Sequence, residues 1–459
     1  MRSTVEEMQA ARSAAQAYRH QDGPLQAEQV YAQLFVPTPD EAALAMGRDY
    51  LARQMEQAAG LPCDLPDDPA ALAAWMESRA IEVGSAYEAY LKERQQGAPR
   101  RYFSGRAHAF NFLRRVAPTK LVDGAWLYSA VKRWRDPLFR PLILTYLEEL
   151  GDGDAAMNHV TLYRSLLAAN GCEHGPALSE DHYVQGAIQL GLAHHGEQFE
   201  AEVFGFNLGY EQLPLHLLIT AYELNELGID PYYFTLHVTI DNAASGHARK
   251  AAEAVVQAAA QAPDPQAFMA GVRRGYLLNE LGASTLGVIG SFSLEQEVVR
   301  VLAEKAAFGR MMHSDYCRIG GKTVNQWLEE PEGMASFLEE MEKAKWITRG
   351  REASESRFWR LIDAAGGQMF GVFDGYEKQV IREWIEQGWS DGRRQPSFRA
   401  MARGRDSAAA EAPAVPALAA REVDLDALVA ELAPGRHHFV PGLEATRLYS
   451  ERYRRACVA

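Results

Sequence analysis

Apolar residues recur three and four positions apart along almost the whole chain, while runs of alternating β-branched residues are nearly absent. That pattern places one apolar stripe on each α-helix and leaves little that could build a sheet. Residues 39–58 and 68–95 show it clearly, with charges between the apolar positions and with Ala, Leu, Glu, Gln and Arg as strong helix formers. The one strand-like run, Phe234 to Ile240, sits inside a helical pattern that reaches Val256. The expectation is an all-α protein. Its 459 residues, 47% of them hydrophobic, suffice for one large or two moderate cores.

Punctuation divides the chain into an N-terminal helical segment (1–100), a histidine-rich core (101–260) and a helical extension packing on it (261–402). An Ala/Pro-rich linker (403–422) and a tail with one short helix (423–459) follow. Acidic residues outnumber basic ones by 61 to 47, a formal charge of -14, which argues against nucleic acid and anionic membrane as partners. The first twenty residues carry no apolar stretch of the signal-peptide kind, and the most apolar run, LPLHLLITAY, is too short to span a bilayer. Four scattered cysteines form no C-x-x-C pair, so a cytoplasmic protein with reduced thiols is expected.

Missing motifs narrow the chemistry. There is no phosphate-binding G-x-x-x-x-G-K-[ST], no G-x-S-x-G and no H-E-x-x-H. GDGDAA at 151–156 follows a helical pattern rather than a strand, which makes a dinucleotide site a poor reading. No histidine has a Glu three residues before it, so the Glu-x-x-His pairs of ferritin-like bundles are absent.

What remains is a series of carboxylates and imidazoles in apolar surroundings. His237 and Asp241 stand four apart, within about 40° of one helix face. His247 follows six residues later, about 120° off that face, so the helix must be irregular across the poor helix formers of NAASG if the three are to converge. Glu211 lies between apolar residues and Pro214, where burial without a cation is costly. Glu149 ends ILTYLEEL, His159 follows the GDGD interruption, and Asp123 lies in TKLVDGAWLY.

These residues, with the stretches VDGAWL, EELGDGDAAMNH, FNLGYEQLP, ELNELGIDPYYFTLH and IDNAASGHA, resemble the heme-oxygenase-like di-iron oxidases, or iron-containing redox enzymes. The resemblance implies a heme-oxygenase-like helical bundle with additional N- and C-terminal helices, holding two Fe(II) ions rather than heme. It implies the metal ligands Asp123, Glu149, His159, Glu211, His237, Asp241 and His247, with no further catalytic or cofactor-binding residues. Asp123 stands where members commonly carry Glu, and members often place the last His three after the Asp rather than six. The implied activity is O2-dependent oxidation of a small organic substrate: an amine, amino acid or fatty acid. An external electron donor and a homodimer are compatible with it. Four carboxylates against two Fe(II) ions would leave a neutral inner shell, as burial favours. Mixed carboxylate and imidazole donors suit iron or manganese.

Blander readings stand beside these. A non-catalytic helical binding protein could keep the fold, and a heme protein could use His20 or His108 as its proximal ligand. The sequence places Glu223 and Glu226 in solvent or behind the ligands, His194–His195 at a helix C-terminus, and His437–His438 at the surface. It places Tyr232, Tyr233 and Phe234 in the core, and Arg114, Arg115, Arg273 and Arg274 on solvated helix faces. The C-terminal third carries no assignable role.

Overall fold

The computed structural model describes residues 26–173, 175, 177–240, 246–363, 367, 369, 371–389 and 424–457. Among the described residues the helices of eight residues or more are α1 (Ala27–Leu34), α2 (Glu41–Ala58), α3 (Leu72–Gln95), α4 (Arg106–Lys120), α5 (Arg140–Glu149), α6 (His159–Ala169), α7 (Asp181–His195) and α8 (Glu200–Tyr210). They continue as α9 (Leu215–Glu226), α10 (Tyr232–Ile240), α11 (His247–Gln261), α12 (Pro265–Leu277), α13 (Leu294–Gly309), α14 (Met334–Lys343), α15 (Gly375–Glu386) and α16 (Val440–Ala456). The chain is all-α, as its periodicity requires. Among the described residues the sheet content is one two-residue antiparallel pair, Arg318–Ile319 with Lys322–Thr323. No described helix is long and apolar enough to cross a membrane.

Local signals set the helix starts. Asp40, Asn158, Asp264 and Asp374 each accept a hydrogen bond from a backbone N–H of the first turn of α2, α6, α12 and α15. Pro214 and Pro265 stand at or just before the starts of α9 and α12, where a missing N–H costs nothing.

The buried side chains form two clusters. One joins α1, α2, α5, α7, α8, α11 and α12 to the C-terminal segment 424–457, with Trp126 and Tyr146 fully buried in it. The other joins the first part of α4 to α6, α9, α10 and the helices from 285 to 385. Both draw on the stretch 101–260, so the histidine-rich segment is the seam between two cores. The linker 403–422 lies outside the described residues.

The helical pattern read through from Phe234 to Val256 is divided between two helices. α10 ends at Ile240 and α11 begins at His247, with Gly246 in extended backbone before it. Asp241, in between, lies outside the described residues.

Three further expectations, for Glu223, Arg114 and His437, are corrected. Glu223 is fully buried, accepting from Tyr90 Oη at 2.8 Å and from the backbone N–H groups of Arg101, Tyr102 and Phe103. Its neighbour Glu226 pairs with Arg94 at 2.7 Å. Arg114 is buried, its guanidinium 3.9 Å from the centre of the Tyr376 ring. His437 is buried rather than superficial. His194 and His195 do close α7, but the His195 ring donates across to the Leu44 carbonyl at 2.8 Å.

Candidate metal centre

Helix ends converge on one buried point. Glu149 is the last residue of α5, His159 the first of α6, Glu211 follows the last residue of α8, and His247 is the first of α11. Asp123 comes from the turn after α4, and His237 from α10. All six side chains are buried, from 1% exposed for Asp123, His159 and His247 to 5% for His237. Gly124 makes the approach of α5 possible: its φ is +80°, and a Cβ there would lie 2.9 Å from Glu149 Cβ.

The donor atoms fall into two groups that share Glu149. Asp123, Glu149, His159 and His237 form one, and Glu149, Glu211 and His247 the other; within each, the facing atoms lie within 4.8 Å of one another. In the first group His159 Nδ1 lies 2.5 Å from Glu149 Oε2 and 3.6 Å from Asp123 Oδ2, while His237 Nε2 is 3.3 Å from Asp123 Oδ2. In the second, His247 Nδ1 is 3.2 Å from Glu211 Oε2 and 3.7 Å from Glu149 Oε1. The two oxygens of Glu149 therefore face different groups.

A buried polar atom left without a hydrogen bond costs stability unless something else satisfies it. Glu149 Oε2, His159 Nδ1 and His237 Nε2 are such atoms. Glu149 Oε2 and His159 Nδ1 lie 2.5 Å apart, and neither they nor His159 Nε2 has a hydrogen-bond partner. Carboxylate oxygens and imidazole nitrogens aimed at one point fit a divalent cation, and the lack of thiolates suits iron or manganese over structural zinc.

A second layer holds these donors. His237 Nδ1–H donates to the Tyr233 carbonyl at 2.8 Å, which leaves Nε2 facing the group. His247 Nε2 bonds Glu148 Oε2 at 2.5 Å, while its Nδ1 faces inward to Glu211 Oε2 at 3.2 Å. Lys250 reaches the same Glu148 carboxylate at 3.0 Å. Burial pushes Glu148 upward, but His247 and Lys250 outweigh it and bring the carboxyl down to about 2. Asp123 accepts from Tyr210 Oη at 2.8 Å on Oδ1 and from Tyr233 Oη on Oδ2. Lys120 Nζ donates to Tyr210 Oη at 3.1 Å. Burial opposes ionisation of Asp123 too, yet Lys120, His159 and His237 hold it well below the usual carboxylate range. Burial lowers His159, but Glu149 and Asp123 outweigh it and raise it to about 10.

Six of the seven residues singled out from the sequence thus meet at one place; Asp241 lies outside the described residues. Sequence reasoning missed Glu148, Tyr210 and Lys120; Tyr233 does lie in the core, as expected, and its hydroxyl also bonds a carboxylate of the centre. Its signal was the i,i+4 spacing to His237, which puts both on one helix face. His108 does not serve a heme: its Nε2–H donates to Ile289 O at 2.8 Å, and its Nδ1 accepts from the Ser104 N–H at 3.3 Å. His20 lies outside the described residues.

Residues 110–280 match the family model described as iron-containing redox enzyme, and this match supports a heme-oxygenase-like family for the chain. No curated protein and no solved structure matches the chain.

Proposed function

We propose that the chain is a non-heme di-iron oxidoreductase that uses O2 to oxidise a small organic substrate such as an amine, amino acid or fatty acid. In this reading one iron would be held by Asp123, Glu149, His159 and His237, and the other by Glu149, Glu211 and His247, with Asp241, the next residue in sequence after α10, as a further ligand. The observation that carries it is Glu149, whose two oxygens face two separate donor groups. The family match supports iron-dependent redox chemistry.

Fe(II), when bound, would supply the electrons for reducing O2. The protein's own work is to place and insulate that chemistry. Burial of all six donors keeps bulk water away. The Tyr233 carbonyl and Glu148 orient the rings of His237 and His247, so that each turns its other nitrogen inward. Tyr210 and Tyr233 grip both oxygens of Asp123 and set its orientation. Glu148 and Lys250 neutralise one another beside the second group.

The test is anaerobic titration with Fe(II), followed by O2. Two irons per chain and iron-dependent O2 uptake are expected, with both irons lost in Glu149→Ala and one in Glu211→Ala. No iron binding, or a Glu149→Ala variant that keeps both irons, would refute the assignment.

A further inference from the structure

We propose that His437, from the C-terminal segment, is a positioning residue of the metal centre, acting through Asn158 on the Glu149–His159 pair. The inference rests on the di-iron reading above and assigns a role to a part of the chain outside the family match.

Glu149 and His159 are joined by the loop 150–158, and one side chain closes it. Asn158 Oδ1 accepts from the Thr161 N–H at 3.0 Å and from its hydroxyl at 3.1 Å, capping the helix that His159 opens. Because a backbone N–H can only donate, this fixes which end of the amide is oxygen. Asn158 Nδ2 then donates in two directions: to the Leu150 carbonyl at 3.2 Å, and to His437 Nδ1 at 3.1 Å. Leu150 directly follows Glu149, and Asn158 directly precedes His159. The amide therefore ties the two ligand-bearing helix ends together, and His437 takes its remaining donor. Burial lowers the His437 imidazole well below its ordinary range and keeps it neutral, so Nδ1 retains the lone pair this bond needs.

The C-terminal segment is built onto the same loop. Asp152, in left-handed backbone at φ 50°, accepts from Ser450 Oγ at 2.6 Å and from Arg454 at 3.0 Å. Gly153, at φ +88°, lies so close beneath α16 that a Cβ would come within 2.4 Å of the Leu443 carbonyl. Tyr146, one turn before Glu149, donates to the Leu432 carbonyl, and Tyr449 donates to Val131 at 2.7 Å. GDGD is thus a seat for the C-terminal helix, and His437 is delivered to Asn158 from that docked segment.

The experiment uses the full chain loaded anaerobically with Fe(II). Affinity is read by chelator competition, and ligand geometry by near-infrared circular dichroism of the bound Fe(II). His437→Leu removes the acceptor; His437→Asn restores one, its Oδ1 standing where Nδ1 stood. Asp426→Asn loosens the docking of the same segment by removing the carboxylate charge and the acceptor for Arg135 Nη2, without touching Asn158. His437→Leu is expected to weaken one iron by roughly tenfold or more and to shift its bands, as loss of such supporting groups does elsewhere. His437→Asn should return both towards wild type, and Asp426→Asn should lower Tm with the spectrum unmoved. If His437→Leu does not fold, Asn158→Ser, which retains a capping oxygen but no amide donor, should give the same weakening. Wild-type affinity and spectrum in His437→Leu or Asn158→Ser overturn the proposal while leaving two irons in place. A spectrum altered as much by Asp426→Asn overturns it as well. A wild-type protein that binds no iron overturns this proposal together with the di-iron reading.

Discussion

The Tyr233 hydroxyl donates to Asp123 Oδ2, the same oxygen that lies 3.3 Å from His237 Nε2 and 3.6 Å from His159 Nδ1. A short Asp side chain is thereby aimed by a phenol from the helix that also carries His237, and Tyr210 fixes its other oxygen. Tyr233→Phe keeps the ring packing on Tyr163 and His237 and removes only the donor. It is expected to weaken one iron by about tenfold, as loss of an outer hydrogen bond to a ligand commonly does. Chelator competition measures it; unchanged affinity would mean that Asp123 needs no such grip.

On the other side, Glu148 performs the corresponding task for His247. Glu148→Ala frees the imidazole to rotate or change tautomer and leaves Lys250 without its carboxylate partner. The expected result is a roughly 10–100-fold loss of affinity for one iron, the one proposed to bind Glu211 and His247. Glu148→Gln, which still accepts a hydrogen bond, should lose less. Equal losses in the two variants would point to charge rather than orientation as the operative factor.

How much of this was legible beforehand follows from where each signal resides. Helicity and the ligand series are local or near-local patterns: His237 lies one turn from Tyr233, and Glu149 and His159 flank a glycine-rich interruption. The centre's supporting layer is assembled from residues distant in sequence. His437 meets Asn158 across 279 positions, and Glu148 meets His247 across 99. Glu223 reads as solvated or as lying behind the ligands because its helix face is ambiguous in the sequence; the backbone of Arg101–Phe103, 120 and more positions away, is what buries it. Nothing in helical periodicity carries that information.

Glu223 itself supports a prediction about stability. Its carboxylate serves three N–H groups and the Tyr90 hydroxyl in a buried knot between α3, α9 and the start of α4. Glu223→Ala leaves these donors unsatisfied and should cost about 3 kcal/mol or more of unfolding free energy. Iron stoichiometry in the folded fraction should remain at the wild-type value. Denaturant unfolding of the metal-free protein measures the first, and a loss below about 1 kcal/mol would contradict the buried-knot account.

A pH dependence comes from Glu297, buried against Arg300 at 2.6 Å and Tyr376 at 2.6 Å. Burial would raise its pKa, but Arg300 and Tyr376 outweigh burial and lower it. A carboxyl depressed in the folded state contributes stability above its unfolded pKa of about 4.3, and that contribution is lost as pH falls through the folded value. Glu297→Gln should therefore be less stable than wild type at pH 7 by about 1–3 kcal/mol, with the gap narrowing below about pH 4.3. A gap that stays constant to lower pH would assign the effect to packing.

The central claim is that one carboxylate, Glu149, serves two metal ions at once. Parallel-mode electron paramagnetic resonance of the anaerobic protein loaded with two Fe(II) ions tests it most directly, because a shared carboxylate couples the two spins. An integer-spin signal of a coupled pair, abolished in Glu149→Ala, is the expected result; two magnetically independent Fe(II) ions in the wild-type protein would contradict it.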